Sequence, residues 1–205
     1  MPPYSSPIAQ SPLVDMHHRC GAHVERRDGW LMAVKYPDEP GTIGNALVDL
    51  AHRPTIEING PDVATRLSAL CGADVPVRQI RSADEWHAYR LTPGRAIVFG
   101  KIPRQVSDAL DVTGGWVSLA LWGPDAERLL NKITAVDLRE RTLPVGGCCQ
   151  GPIFGVNTLF GRFARRFELH VCYDSAEFLW EVLMDAGAEF HLKPAGIDYA
   201  ARHFV

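Results

Sequence analysis

The chain has 205 residues, of which 46% are hydrophobic and 22% are charged, proportions that are ordinary for a globular protein with a substantial core. Its net charge of −3 gives no electrostatic reason to expect a nucleic acid or an anionic membrane as partner. No apolar run approaches the ~20 residues that span a bilayer, and residues 1–10 lack the charged leader and apolar stretch of a signal peptide.

Residues 1–10 are rich in Pro and Ser and are expected to form a disordered tail, followed by a single domain over residues 11–205. The five cysteines are odd in number and contain no Cys-x-x-Cys pair. Such a cysteine pattern is typical of a reduced protein rather than a disulfide scaffold, and it predicts a cytoplasmic location.

The first elements are predicted to be one helix and two strands. A helix that buries Leu13 and Met16 comes first. Asp28-Gly29 is a turn signal between strand-like residues, with Val24 on one side and residues 31–36 on the other.

The tripeptide Gly60-Pro61-Asp62 occurs again as Gly123-Pro124-Asp125, 63 residues later (123 minus 60). In both copies an apolar run of strand type precedes the glycine, and the fixed φ of the proline suits the first turn of a helix. The apolar face of each predicted helix consists of Val63, Leu67 and Leu70 in the first copy and Ala126, Leu129, Leu130 and Ile133 in the second. We therefore interpret the chain as a duplicated strand–helix unit, with half-repeats at about 46–110 and 111–190.

Further elements follow each copy. The pattern predicts a strand at residues 95–99, one helical turn at residues 106–110 and a strand at residues 153–159. Residues 167–173 alternate apolar side chains with Glu, His and Cys, which is the period of a half-buried strand. Asp174-Ser175 then predicts the start of a helix.

That helix is expected to bury Phe178, Leu179, Val182 and Leu183 and to end at Gly187. A short last helix carries Arg202. Strands that alternate with helices throughout favour an α/β or α+β class, with helices packed on mixed sheets.

Two adjacent pairs, His17-His18 and Cys148-Cys149, are of residue types that can bind metals or undergo redox chemistry. Adjacent histidines point about 100° apart on a helix and cannot share a metal ion. Surface or hydrogen-bonded core histidines are therefore favoured, and no metal site is predicted. Adjacent cysteines rarely close a ring without strain, so buried, unreactive thiols are favoured over a redox pair.

Charged clusters offer two more candidates. Asp84-Glu85 could act as a general acid/base pair if burial raised one pKa, but a solvated acidic turn is the favoured interpretation. Arg162, Arg165 and Arg166 could hold a carboxylate or an anionic partner, whereas a solvated face is the default. No Ser/His/Asp, Cys/His or zinc arrangement follows from spacing alone.

Several segments resemble the glycine-cleavage T-protein (aminomethyltransferase) family, over most of residues 11–203. The matching residues are Ser11-Pro12-Leu13, Asp15, His17, Gly21-Ala22, Gly29-Trp30, Met32, Val34, Tyr36, Val48-Asp49-Leu50-Ala51-His52, Ile56, Ile58, Gly60-Pro61-Asp62 and Leu119-Ala120-Leu121-Trp122-Gly123-Pro124-Asp125-Ala126. The resemblance implies the T-protein-type folate-binding fold of the α+β class. It also implies tetrahydrofolate as the candidate cofactor, with a role in one-carbon metabolism and no covalently bound group.

In length and in its second half the chain is more similar to the gamma subunit of heterotetrameric sarcosine oxidase. Residues 90–93, the loop of residues 144–148 and residues 173–180 carry this likeness. It implies a T-protein fold without the family's C-terminal barrel. It also implies a hetero-oligomer in which alpha- and beta-type subunits hold the flavins, with no nucleic acid and no membrane involved.

The resemblance also assigns candidate site residues. Glu85 takes the place of the family's catalytic aspartate, with Asp84 beside it. Arg202, Tyr89 and Trp30 are the candidate cofactor contacts.

Two polar groups of the family's site have no counterpart. Gly100 stands where the family has an asparagine that contacts the pterin, and residues 161–164 replace a segment that contains a glutamate. Without these acceptors tight folate binding is not expected. The resemblance leaves three functions open. One is a largely non-catalytic, gamma-like subunit, another is a minimal folate-dependent aminomethyltransferase that uses Glu85 and Arg202, and the third is a folate-sensing scaffold.

Overall fold

The computed structural model describes residues 9–41, 44–83 and 85–203. The helices are α1 (Val14–Arg19), α2 (Val63–Cys71), α3 (Ala126–Ile133), α4 (Ala176–Gly187) and α5 (Ile197–His203). The strands are β1 (Ala9–Gln10), β2 (His23–Arg27), β3 (Trp30–Lys35), β4 (Ala46–Asp49), β5 (Thr55–Asn59), β6 (Gln79–Ser82), β7 (Trp86–Thr92), β8 (Arg95–Gly100), β9 (Leu110–Asp111), β10 (Trp116–Trp122), β11 (Cys148–Ile153), β12 (Val156–Arg162), β13 (Arg166–Cys172) and β14 (Lys193–Ala195).

The strands form three sheets that mix parallel and antiparallel pairs. Their orders are β1-β3-β2, β6-β7-β8-β5-β9 and β11-β12-β13-β10-β4-β14. Strand β1 pairs in parallel with β3, and β14 pairs in parallel with β4, while neighbours such as β10 and β13 are antiparallel. Within the described ranges no sheet closes into a barrel, so the architecture is α+β with mixed sheets, as predicted.

The five- and six-stranded sheets pack face to face, and helices cover their outer faces. Tyr89 and Phe99 of the five-stranded sheet share a buried cluster with Cys148 and Leu159 of the six-stranded sheet. Helices α3 and α4 bury their apolar faces on the outside of the six-stranded sheet, and α2 does so on the five-stranded sheet. The layers are therefore helix, sheet, sheet and helix.

The duplicated strand–helix unit is confirmed. Strand β5 leads through Gly60 into α2, and β10 leads through Gly123 into α3. The two glycines have φ values of +126° and +115°, a backbone conformation that side chains disfavour. One copy belongs to the five-stranded sheet and the other to the six-stranded sheet, so the two units lie in different layers.

Three predicted elements differ from the structure. Residues 106–110 form no helix, because Leu110 is 61% exposed and lies in β9, an edge strand paired with β5. Residues 153–159 are interrupted by a turn at Phe154-Gly155, where both φ values are positive, so they belong to a hairpin of β11 and β12. Phe178 is 44% exposed, and α4 buries Trp180 instead.

The expected tail falls mostly on residues 1–8, which lie outside the described residues, while Ala9–Gln10 form β1. None of the described helices is both long enough and apolar enough to cross a bilayer.

Candidate functional site

A cluster of polar side chains is buried between the two large sheets. In β13 the odd-numbered residues Phe167, Leu169 and Val171 pack toward the helices, so alternation turns Glu168 and His170 toward the five-stranded sheet. Both polar residues are 0% exposed. The strand is therefore buried on both faces up to Val171, and the prediction of a half-buried strand is wrong.

A chain of hydrogen bonds converges on the Glu168 carboxylate. The Tyr89 hydroxyl donates to Glu168 Oε2 at 3.1 Å, so its oxygen can accept the Nε2–H of His170 at 3.0 Å. His170 Nδ1 is then left to accept the hydroxyl of Ser118 at 2.7 Å. The donors therefore run in one direction, from Ser118 through His170 and Tyr89 to the carboxylate. This order requires that the neutral ring of His170 carries its proton on Nε2.

Two guanidinium groups hold the other carboxylate oxygen. Arg53 Nη1 and Arg166 Nε each lie 3.1 Å from Glu168 Oε1. Burial alone would raise the pKa of Glu168, but the neighbouring positive charges outweigh it and hold that pKa well below its usual range. Glu168 therefore stays ionised inside the protein.

His87 ends the cluster with an unsatisfied donor. Its Nε2 lies 3.3 Å from Arg166 Nη2, and because a guanidinium can only donate, Nε2 must accept. The proton then sits on Nδ1, which is shielded from solvent and has no hydrogen-bond partner among the described residues. Burial lowers the pKa of His87 to about 4, so the ring is neutral at neutral pH. Such an orphaned donor costs about 1–3 kcal/mol and is a reason to look for a ligand.

His87 lies in the wall of a cavity of about 1010 Å³. Around the opening are the β2–β3 hairpin, the loop after β4, the ends of β7 and β8, and α5. The lining includes Asp28, Trp30, His52, Arg53, Ser82, Glu85, His87, Lys101, Phe163, Arg166 and Ile197.

A second cavity, of about 550 Å³, lies beside the first. Both are lined by Phe163 and Arg166, whose guanidinium carbon is 4.1 Å from the centre of the Phe163 ring. This stacked pair forms the wall that the two cavities share.

Comparison with known proteins identifies the family. Residues 89–203, more than half of the chain, match the family described as the GCVT N-terminal domain. The chain belongs to this family.

Similar proteins extend the match toward the N-terminus of this GCVT-domain chain. An aminomethyltransferase from Desulforamulus reducens is 27% identical over 93% of the chain and 61% of its own length, and one from Rubrobacter xylanophilus is 28% identical over 93% and 59%. The GCVT-domain chain thus spans about three fifths of the length of these curated relatives.

Two solved structures share the fold. Aminomethyltransferase T of the Bartonella henselae glycine cleavage system gives a TM-score of 0.73 at 20% identity, covering 94% of this chain and 60% of that one. A chain of the heterotetrameric sarcosine oxidase from Corynebacterium sp. U-96 gives 0.67 at 18% identity, covering 88% of this chain and 95% of that one. The resemblance to the T-protein family is therefore confirmed, and these structures show the fold.

The predicted site residues lie in different places in the GCVT-domain chain. Glu85 and Trp30 line the larger cavity, and Glu85 is exposed at its mouth. Tyr89 is fully buried in the cluster around Glu168, and Arg202 is an exposed residue that pairs with Glu39 at 3.2 Å. Asp84 lies outside the described residues. The structure thus brings Glu85 and Trp30 to one cavity and places Tyr89 and Arg202 elsewhere.

A pterin needs hydrogen-bond acceptors from the protein, and the only carboxylates that the described lining offers it are those of Asp28 and Glu85, both exposed. At Gly100 a Cβ atom would lie 2.1 Å from the carbonyl oxygen of Glu85, so no asparagine can stand there without backbone movement. The buried carboxylate of Glu168 is already held by Arg53 and Arg166.

The other candidate clusters have structural roles. His17 is buried between Asp49, 2.9 Å from its Nε2, and the Tyr36 hydroxyl, 2.6 Å from its Nδ1, so the core-histidine interpretation is confirmed for this residue. His18 is exposed. Cys148 is buried, and burial raises the pKa of its thiol to about 12, as expected of an unreactive cysteine.

The arginine run is not a uniformly solvated face. Arg166 is 9% exposed, and Arg162 donates to Glu127 at 2.9 Å and to the carbonyl of Leu138 at 2.7 Å. Only Arg165, of these three, is exposed. The default interpretation is wrong for Arg162 and Arg166, because each has a carboxylate within reach that offsets the cost of burial.

Sequence reasoning missed Glu168, His170, Arg53 and His87. One signal was available, because β13 alternates Arg, Glu and His with apolar residues and β7 places His87 and Tyr89 two apart. Two such strands with chemically complementary polar faces can pair those faces across a sandwich.

Proposed function

We propose that the chain is a T-protein-fold subunit of a hetero-oligomeric, flavin-dependent oxidase of the sarcosine type, which oxidises secondary amines. Partner chains of alpha and beta type would carry the flavins, and this chain would do little chemistry itself. We place the complex in the cytoplasm, where the free cysteines of the described chain stay reduced.

One observation carries this proposal. The fold is shared with a chain of a heterotetrameric sarcosine oxidase, at a TM-score of 0.67 and over 95% of that chain. A subunit role also suits the buried cluster, in which both arginines pair with the Glu168 carboxylate and so have a structural task.

The test is the mass and the colour of the protein isolated from its own organism. A tagged copy expressed from the native locus should elute as a complex several times heavier than the 22.6 kDa chain and carry flavin absorbance. Native mass spectrometry would then show chains of unequal mass in fixed ratio. A colourless monomer would count decisively against a subunit role.

A second candidate is a minimal tetrahydrofolate-dependent aminomethyltransferase. The observation in its favour is that relatives 27% and 28% identical are named aminomethyltransferases, and that Glu85 and Trp30 line the same cavity. Calorimetry with tetrahydrofolate decides it, with Glu85→Gln as the matched variant. No heat at millimolar ligand removes this candidate.

A further inference from the structure

The larger cavity is rich in side-chain hydrogen-bond donors. Its lining carries side-chain N–H groups from Trp30, Arg53, His87, Lys101 and Arg166. Its two described carboxylates, Asp28 and Glu85, are both exposed to solvent. A ligand that brings hydrogen-bond acceptors therefore matches the arginine, histidine and lysine side chains of this lining.

The donor of His87 is the most specific of these groups. The residue is 8% exposed, its Nε2 faces Arg166, and its Nδ1–H has no acceptor in the part of the chain that the structure describes. Buried donors in folded proteins are nearly always satisfied. An acceptor supplied from the cavity would satisfy this one. The neighbouring Phe163 ring, whose centre lies 4.9 Å from that of His87, is itself only half-buried.

The cations in the lining are held in place before any ligand arrives. The side chains of Arg53 and Arg166 are 16% and 9% exposed, and each guanidinium donates an N–H to Glu168, while Nη2 of Arg166 also donates to His87. Lys101 adds a third positive charge at the mouth. Prepositioned guanidinium groups recognise carboxylates with little loss of side-chain freedom.

Apolar surface completes the cavity. Trp30, Phe163, Ile197 and Ala201 line it together with the donors. We propose that this cavity binds a small carboxylate that carries a flat apolar group, with the carboxylate directed to His87 and the two arginines. This inference concerns the chain alone and does not depend on the proposed role as a subunit.

Benzoate and benzamide are matched probes for the site, because they share a ring and differ in charge. Titration of the isolated full chain, followed by ¹⁵N spectra of the histidine side chains, reports binding and the protonation of His87 together. Benzoate should bind in the millimolar range or better, shift the Nδ1–H signal of His87 and bind about tenfold more tightly than benzamide.

Two pairs of variants separate the proposed contacts from general effects. His87→Leu removes the donor and should weaken benzoate binding about tenfold, whereas His87→Asn keeps an N–H near the same place and should retain most of the affinity. Lys101→Gln should weaken binding by a smaller factor. Arg104→Gln removes the same charge from an exposed residue outside the lining and should leave binding unchanged.

The inference is overturned if benzoate shows no binding at ~10 mM, a concentration above the dissociation constants of ordinary small ligands. It is also overturned if benzamide binds equally well, or if Lys101→Gln and Arg104→Gln have the same effect. The exposed Lys101 keeps the test decisive even if a His87 variant does not fold. None of these results bears on the mass of the native complex, so the subunit proposal stands or falls separately.

Discussion

Glu168 illustrates how one buried charge can control the stability of a sandwich. Its carboxylate is 0% exposed, accepts hydrogen bonds from two guanidinium groups and a tyrosine, and has a pKa held well below its usual range because the charges of Arg53 and Arg166 outweigh desolvation. Removing one partner from such a buried ion cluster lowers the free energy of unfolding by more than the intact cluster adds to it, because the remaining charges stay buried without a partner.

Glu168→Gln should therefore lower the free energy of unfolding by about 3–5 kcal/mol at pH 7. Glu127→Gln is the matched control, since Glu127 pairs with Arg162 but its side chain is 33% exposed, and it should cost about 1 kcal/mol or less. Urea denaturation of both variants measures the difference. Equal losses would mean that the buried cluster has no special energetic role.

The buried histidines predict a loss of stability in mild acid. Burial lowers the pKa of His170 to about 3 and that of His87 to about 4, whereas both titrate near 6.5 in the unfolded chain. Between these values the unfolded state binds more protons than the folded state, so stability falls as pH falls from about 6.5 toward about 3. Each histidine contributes up to ~1.4 kcal/mol per pH unit in this window.

Urea titrations from pH 7.5 to pH 5 test this sign, and His170→Asn should flatten the curve. Glu168 adds its own acid sensitivity at lower pH, because its lowered pKa contributes stability that is present above about 4.3, the unfolded value, and is lost on further acidification. A stability that is constant between pH 7 and pH 5 would contradict the burial of neutral histidines.

At the scale of elements, the two strand–helix copies offer an internal comparison. Gly123→Ala would place a Cβ atom 2.2 Å from Asn45 Oδ1, whereas Gly60→Ala would place one 3.1 Å from Asp62 Oδ1. Both positions have positive φ, so each substitution should cost about 1–3 kcal/mol. Gly123→Ala should cost at least ~1 kcal/mol more, because Asn45 also bonds to Asp125 and to the carbonyl of Phe190.

Thermal unfolding of the two glycine variants measures this difference, and an equal loss would show that Asn45 relaxes freely.

The two strand–helix copies also show what the sequence could predict. Gly-Pro-Asp and the apolar spacing after it determine strand, turn and helix locally, so both copies were predictable. The hairpin turn at Phe154-Gly155 was not, because apolar residues lie on both sides of the turn glycine and make the segment look like one strand.

At the scale of the whole molecule, a polar layer connects the two large sheets. Its members come from β7, β10, β13 and the loop after β4, which are far apart in sequence. Periodicity shows that Glu168 and His170 share one face of a strand, but it does not reveal which sheet covers that face. The family resemblance did predict the fold, yet the position of this layer depends on how the two sheets pack, which the sequence pattern does not encode locally.

The layer predicts that the two sheets loosen together when it is damaged. Tyr89→Phe removes the hydroxyl that joins Glu168 of the six-stranded sheet to the five-stranded sheet, and it leaves His170 Nε2 without its acceptor, at a cost of about 1–3 kcal/mol. Amide hydrogen exchange should then quicken in β7 and β13 alike. Tyr36→Phe, which removes a buried hydroxyl bonded to His17, is the matched control and should quicken exchange only near α1 and β3. If exchange in Tyr89→Phe rises in one sheet alone, the polar layer does not couple them, and packing of Phe99 and Leu159 must hold the sandwich together instead.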